Sequence, residues 1–92
     1  MVYKFLFLTL LTKALFAQSL LLLDKENLEP IANVAVFDIN KENYILSNSR
    51  GGVDLFVFKT SDILVFQHPS FSRVHMTKKQ LFVLDYILYL SH

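Results

Sequence analysis

Asp38-x-Asn40-x-Glu42 is the stretch whose residue types and spacing come nearest to a metal site. Alternate oxygen-bearing side chains can converge on one cation, as in the first half of a calcium loop. Asn43 stands where the sharp turn of such a loop needs glycine, and Ser49 where it needs a bidentate glutamate. The stretch therefore reads as a solvated hairpin turn. His68 and His75 are the next candidates, with His92 as the third histidine of the domain. His68 and His75 lie seven residues apart, so on one continuous strand they face opposite sides. No Asp, Glu or Cys accompanies them at metal-ligand spacing. They read as surface or turn histidines.

Nucleophilic and acid–base chemistry find no better footing. Ser49, Ser61, Ser70 and Ser72 lack the Gly-x-Ser-x-Gly elbow that exposes a hydrolase nucleophile. Arg50-Gly51-Gly52 has neither the lysine nor the spacing of a phosphate loop. Asp54 and Asp62 could form a carboxylate pair, but alternation makes them solvated or turn residues. Phe56, Phe58, Phe66 and Phe71 occupy strand positions and read as core rather than as a stacking platform. No catalytic, cofactor-binding or metal residue is assigned, and the chain is expected not to be an enzyme.

Composition narrows the classes further. The chain has 92 residues, enough for one domain. It contains no cysteine, which excludes disulfide staples, cysteine-type zinc sites, a thiol nucleophile and a lipidated N-terminal cysteine. From Leu20 onward, seven Lys and Arg face eight Asp and Glu, a net charge of −1. Such a balance gives no clustered basic face for nucleic acid. A core of apolar side chains alone must hold the fold.

Pro30-Ile31-Ala32-Asn33-Val34-Ala35-Val36-Phe37 is the stretch around which the other elements are arranged. It is apolar, β-branched and bounded by the polar turns Asp24 to Glu29 and Asn40 to Asn43. Alternation directs Val34 and Val36 into a core. Leu20 to Leu23 forms a preceding strand, and Pro30 to Asp38 the central one. Tyr44 to Asn48 is a third strand, and Ser49 to Gly52 a turn in which paired glycines allow positive φ. Val53 to Phe58 is a fourth strand and Lys59 to Asp62 the next turn. Ile63 to Gln67 is a continuous apolar run, fit for a strand covered on both faces. His68-Pro69-Ser70 breaks it, and Phe71 to Thr77 resumes. Leu81 to Leu90 has the length of a helix but the β-branched and aromatic content of a last strand, and a strand is expected. Turns recur roughly every ten residues, which argues an all-β sandwich or barrel.

Met1 to Ser19 reads as a secretory signal peptide. Lys4 supplies the charged region and Phe5 to Thr12 the apolar core. Ala14 and Ala17-Gln18-Ser19 supply small residues near a cleavage point. Cleavage after Ala17, Gln18 or Ser19 fits equally. An N-terminal amphipathic helix or a first core strand is the alternative.

The order of these motifs carries a family resemblance. Glu29-Pro30-Ile31-Ala32-Asn33-Val34-Ala35-Val36 is followed by Ser49-Arg50-Gly51-Gly52, then Asp62-Ile63-Leu64-Val65-Phe66, then His68-Pro69-Ser70-Phe71. Over about Leu20 to Leu90 the chain resembles the carboxypeptidase-regulatory-like domain at the N-terminus of Bacteroidetes TonB-dependent outer-membrane receptors. Arg50-Gly51-Gly52 departs from that family's acidic-Gly turn, and Pro69-Ser70 replaces its glycine near the aromatic break.

The resemblance implies a transthyretin-like (prealbumin-like) Greek-key β-sandwich of about seven strands over residues 20–92, preceded by a signal peptide over 1–19. It implies a non-enzymatic accessory or signalling domain without cofactor, placed in the periplasm at the outer membrane. The expected chain is the N-terminal fragment of a nutrient-uptake receptor. Its expected partners are that receptor's plug and barrel, and periplasmic TonB-system proteins, not nucleic acid. A free-standing secreted β-sandwich that binds a protein or a glycan is the alternative. An accessory domain of a secreted carboxypeptidase or other hydrolase is a third.

Overall fold

The computed structural model describes residues 19–92. The expected signal peptide lies outside the described residues, apart from Ser19. Four leucines in a row set the first element. In a strand, neighbouring side chains point to opposite faces. In β1 (Ser19–Asp24), Leu20 and Leu22 are buried while Leu21 and Leu23 are half-buried. The chain then forms β2 (Ala35–Asp38), β3 (Tyr44–Leu46), β4 (Gly52–Asp54), β5 (Ile63–His68), β6 (Phe71–Thr77) and β7 (Ile87–Leu90). A 3-10 helix (Leu55–Val57) follows β4, and a short α-helix, α1 (Lys78–Val83), follows β6.

The strands make two sheets, ordered β4-β1-β7 and β3-β2-β5-β6. β1 runs antiparallel to β4 and parallel to β7. Every pairing in the four-stranded sheet is antiparallel. One core joins both sheets, with Leu20, Leu22, Val53, Leu88 and Leu90 from the first and Val36, Leu64 and Phe66 from the second. The fold is therefore all-β, as the turn spacing implies. Val34 and Val36 are fully buried, as their alternation requires. Val65 is also buried, although it points away from Leu64 and Phe66. Its cross-strand neighbours on that outer face are Phe37 and His75.

Three stretches depart from expectation. The central strand spans Ala35–Asp38 rather than Pro30 to Asp38. Pro30 has no N–H to give a ladder, and it makes an isolated bridge to Leu23. Asn33 turns left-handed at φ 62, a conformation Asn tolerates better than most residues. The buried hydroxyl of Ser47 then serves the irregular segment. It accepts from the Val34 N–H at 2.8 Å and donates to the Ile31 carbonyl at 2.8 Å.

The fourth strand stops at Asp54 because its carboxylate accepts from the Phe56 N–H at 2.9 Å, which starts the 3-10 helix. Leu55 and Phe58 turn inward, and Phe56 is left 76% exposed instead of lying in the core. The tail is not one strand from Leu81 to Leu90. Thr77 and Gln80 form a reciprocal capping box, with Gln80 N–H donating to the Thr77 hydroxyl and Thr77 N–H to the Gln80 side-chain Oε1. Two orphan amides are thereby satisfied, and a helix starts. Left-handed Asp85 and Tyr86 turn the chain out of it into β7.

Gly51 is the glycine that the fold cannot replace. Its φ is +75, and a Cβ there would lie 2.5 Å from the Leu22 carbonyl oxygen. The close approach lets Gly51 accept from Leu22 N–H at 2.8 Å, which fastens the turn to β1.

Candidate functional site

Asp24 ends β1, and its register partner in β7 is Leu90. The parallel pairing therefore delivers His92 to the side of Asp24. Asp24 first fixes its own turn, with Oδ1 accepting from the Glu26 N–H at 2.8 Å. Its Oδ2 lies 2.9 Å from His92 Nε2. The other ring nitrogen, Nδ1, lies 2.9 Å from the Ser70 carbonyl oxygen. The ring also leans on Phe71, with centroids 4.4 Å apart, and Phe71 meets His68 edge-on at 5.2 Å.

Both partners of the His92 ring are acceptors, so the imidazole satisfies both contacts only when both nitrogens carry a proton, in its cationic form. Electrostatics agree. The Asp24 hydrogen bond raises the His92 pKa above its ordinary value, against desolvation, with help from the Asp24 charge, the Ser70 carbonyl and Glu26. Asp24 is lowered, first by the Glu26 N–H and then, against desolvation, by His92.

An Asp–His pair invites comparison with an acid–base dyad. A hydrolase would need a hydroxyl or thiol on the free ring nitrogen. Here that nitrogen donates to a backbone carbonyl. Asp24, Glu26 and His92 place one ligand atom each within 4.8 Å of one another, the sole such group among the described residues. A cation would have to displace the proton that His92 Nε2 shares with Asp24. The cluster acts as a clamp. It ties the end of β1, the β5–β6 turn and the chain after β7.

The residues singled out by spacing are dispersed. Asp38 is buried and accepts from the Asn43 N–H at 2.7 Å, while Lys41 N–H donates to the Asp38 carbonyl at 2.8 Å. This closes the β2–β3 hairpin, and the amide of Asn43 is the main cause that lowers the Asp38 pKa. Asn40 and Glu42 are exposed in the turn and join no group of three ligands. Asp54 caps the 3-10 helix, and Asp62 accepts from the Lys59 N–H at 2.8 Å, so each serves its own turn. His68 Nδ1 accepts from the Ser70 N–H, and His75 lies exposed beside Val65. Ser49 and Ser61 are exposed turn residues, and Ser72 N–H donates to the Ser91 carbonyl.

One opening lies on the outer face of the four-stranded sheet. Ala35, Phe37, Tyr44 and Gln67 floor it, with Lys41 and Asn43 at the hairpin, around a volume of about 420 Å³. Its size is in the range of small-ligand sites, although it is a surface hollow and not a cavity. The clamp escaped sequence reasoning because its two members meet only through the parallel β1–β7 pair. The hollow escaped because it gathers residues from three strands.

Comparison with family models, curated proteins and solved structures finds no match to this chain.

Proposed function

We propose that this chain is a non-enzymatic accessory or signalling domain of the periplasm, the N-terminal piece of a TonB-dependent outer-membrane receptor. The observation that carries this reading is the agreement between motif order and sheet assignment. Val34 and Val36 supply core, Arg50-Gly51-Gly52 makes the tight turn against β1, and Leu64 to Phe66 is the buried centre of β5. Seven strands in two sheets support the finer transthyretin-like Greek-key reading. Four connections carry the chain from one sheet to the other. The engagement of both His92 nitrogens supports a role other than catalysis.

The test is to sequence the gene beyond His92. An open frame that runs into a plug and barrel is the expected result. A frame without them, and without a neighbouring receptor gene, overturns the reading.

A secreted module that binds a glycan is the second reading, and the hollow favours it. Tyr44 is 65% exposed there, beside the polar groups of Lys41, Asn43 and Gln67. Sugars stack on such rings and hydrogen-bond around them. Glycan-array binding that Tyr44→Ala abolishes would promote it over the first.

A further inference from the structure

One end of the domain leaves much of its apolar surface uncovered. Ser19 pairs with Asp54, so β1 begins where the 3-10 helix leaves β4. Phe56 and Val57 of that helix are exposed, at 76% and 49%. The turn from α1 into β7 reaches the same end, because Leu21 N–H donates to the Tyr86 carbonyl at 3.0 Å. Phe82, Val83 and Leu84 are exposed there at 67%, 77% and 42%. The four-stranded sheet adds Ile39, whose N–H donates to the Ile63 carbonyl beside Thr77 and α1. Lys59 and Lys79 stand exposed among them, and the half-buried Lys78 joins the two helices by donating to the Phe58 carbonyl at 3.0 Å.

We propose that this end of the domain rests on a lipid bilayer surface. Two observations select lipid over other occupants. Exposed aromatic and branched side chains interleaved with lysine are the composition of interfacial membrane-binding segments, and lysine stems can reach along apolar surface to the headgroups. The described residues begin at this end, with Ser19, and the sequence before it includes the apolar run Phe5 to Thr12. From Thr12 to Ser19 the chain spans at most about 25 Å. A bilayer that receives the leader therefore holds Phe56 and Phe82 within reach of its surface, at high effective concentration. None of the exposed residues belongs to the leader, so the surface persists after cleavage. The inference does not depend on the receptor reading: its failure would leave the frame beyond His92 as informative as before.

The chain has no tryptophan, so single tryptophans report position. Phe56→Trp and Phe82→Trp probe this end. Leu28→Trp is the control, exposed in the turn at the far end of β1, about 20 Å away by strand rise. Each full-length variant is mixed with phosphatidylcholine–phosphatidylglycerol vesicles whose acyl chains carry bromine. The first two should shift to the blue and lose at least about half of their emission, and the control less than about a tenth. Equal quenching of all three, or quenching of none, overturns the proposal. So does blue-shifted emission of Phe56→Trp and Phe82→Trp in lipid-free buffer, which would mean that the leader or a second copy already covers them. Sedimentation separates those two occupants.

Discussion

Asp24 and His92 share a proton across 2.9 Å, although 68 residues of chain separate them. Their contact joins the turn after β1 to the segment after β7. It predicts a stability profile with two edges. The His92 pKa is raised by folding. Its contribution is complete below an unfolded histidine's ordinary value near 6.5 and is lost as pH rises through the higher folded value. The Asp24 pKa is lowered by folding. Its contribution is complete above an unfolded aspartate's value near 3.9 and is lost as pH falls through the lower folded value. Urea midpoints should therefore be highest between those limits and fall on either side. His92→Gln should flatten the alkaline edge and leave most of the acid edge in place. An unchanged alkaline edge would mean that the clamp does not form in solution.

Ser47 holds the irregular approach to β2 with two buried bonds, to Val34 N–H and the Ile31 carbonyl. Ser47→Ala leaves both groups without that partner. Each unsatisfied buried group costs about 1–3 kcal/mol, and a loss of about 2–3 kcal/mol in urea unfolding is expected. A loss below about 0.5 kcal/mol would show that Ile31 and Val34 find other partners.

The two adjacent glycines should respond unequally. Gly51→Ala sets a Cβ 2.5 Å from the Leu22 carbonyl at φ +75. The left-handed penalty alone is about 1–2 kcal/mol, and the clash lies against backbone that cannot swing aside. A loss above about 2 kcal/mol is expected. Gly52→Ala meets only the Asn48 side chain, at 3.1 Å, and should cost less than half as much. Equal thermal shifts for the two variants would contradict the register of β4 against β1.

Charge placement tests the core. Val36 is fully buried between Ile45 and Phe66. Val36→Asp buries an unpaired carboxylate at a cost of several kcal/mol and should leave the domain unfolded by circular dichroism. Lys41 is exposed in the hairpin at φ 58, which aspartate accepts, so Lys41→Asp should change stability by less than about 0.5 kcal/mol.

The legible parts of the sequence were those governed by local rules. Phe71 to Thr77 forms a strand with the expected ends, because His68-Pro69-Ser70 before it and the Thr77 cap after it are local signals. Val34 and Val36 lie in the core because alternation is local too. Asp54 and Asn33 misled the reading: each is a short polar side chain that can interrupt a strand by serving or adopting a turn, and apolar neighbours hid that. Helix α1 is too short to display a period, though Thr77-Lys78-Lys79-Gln80 carries the capping-box pattern. The clamp had no local signal at all. Its histidine has a meaning only once β1 and β7 lie side by side.

That parallel pair also sets when the domain can fold. β1, the first described strand, lies between β4 and β7, so one of its edges stays open until β7 has left the ribosome. Closing the loop between Leu21 and Ile87 costs chain entropy before any contact across it forms. Until β7 pairs, β1 therefore presents a bare edge, and the three-stranded sheet waits on that closure.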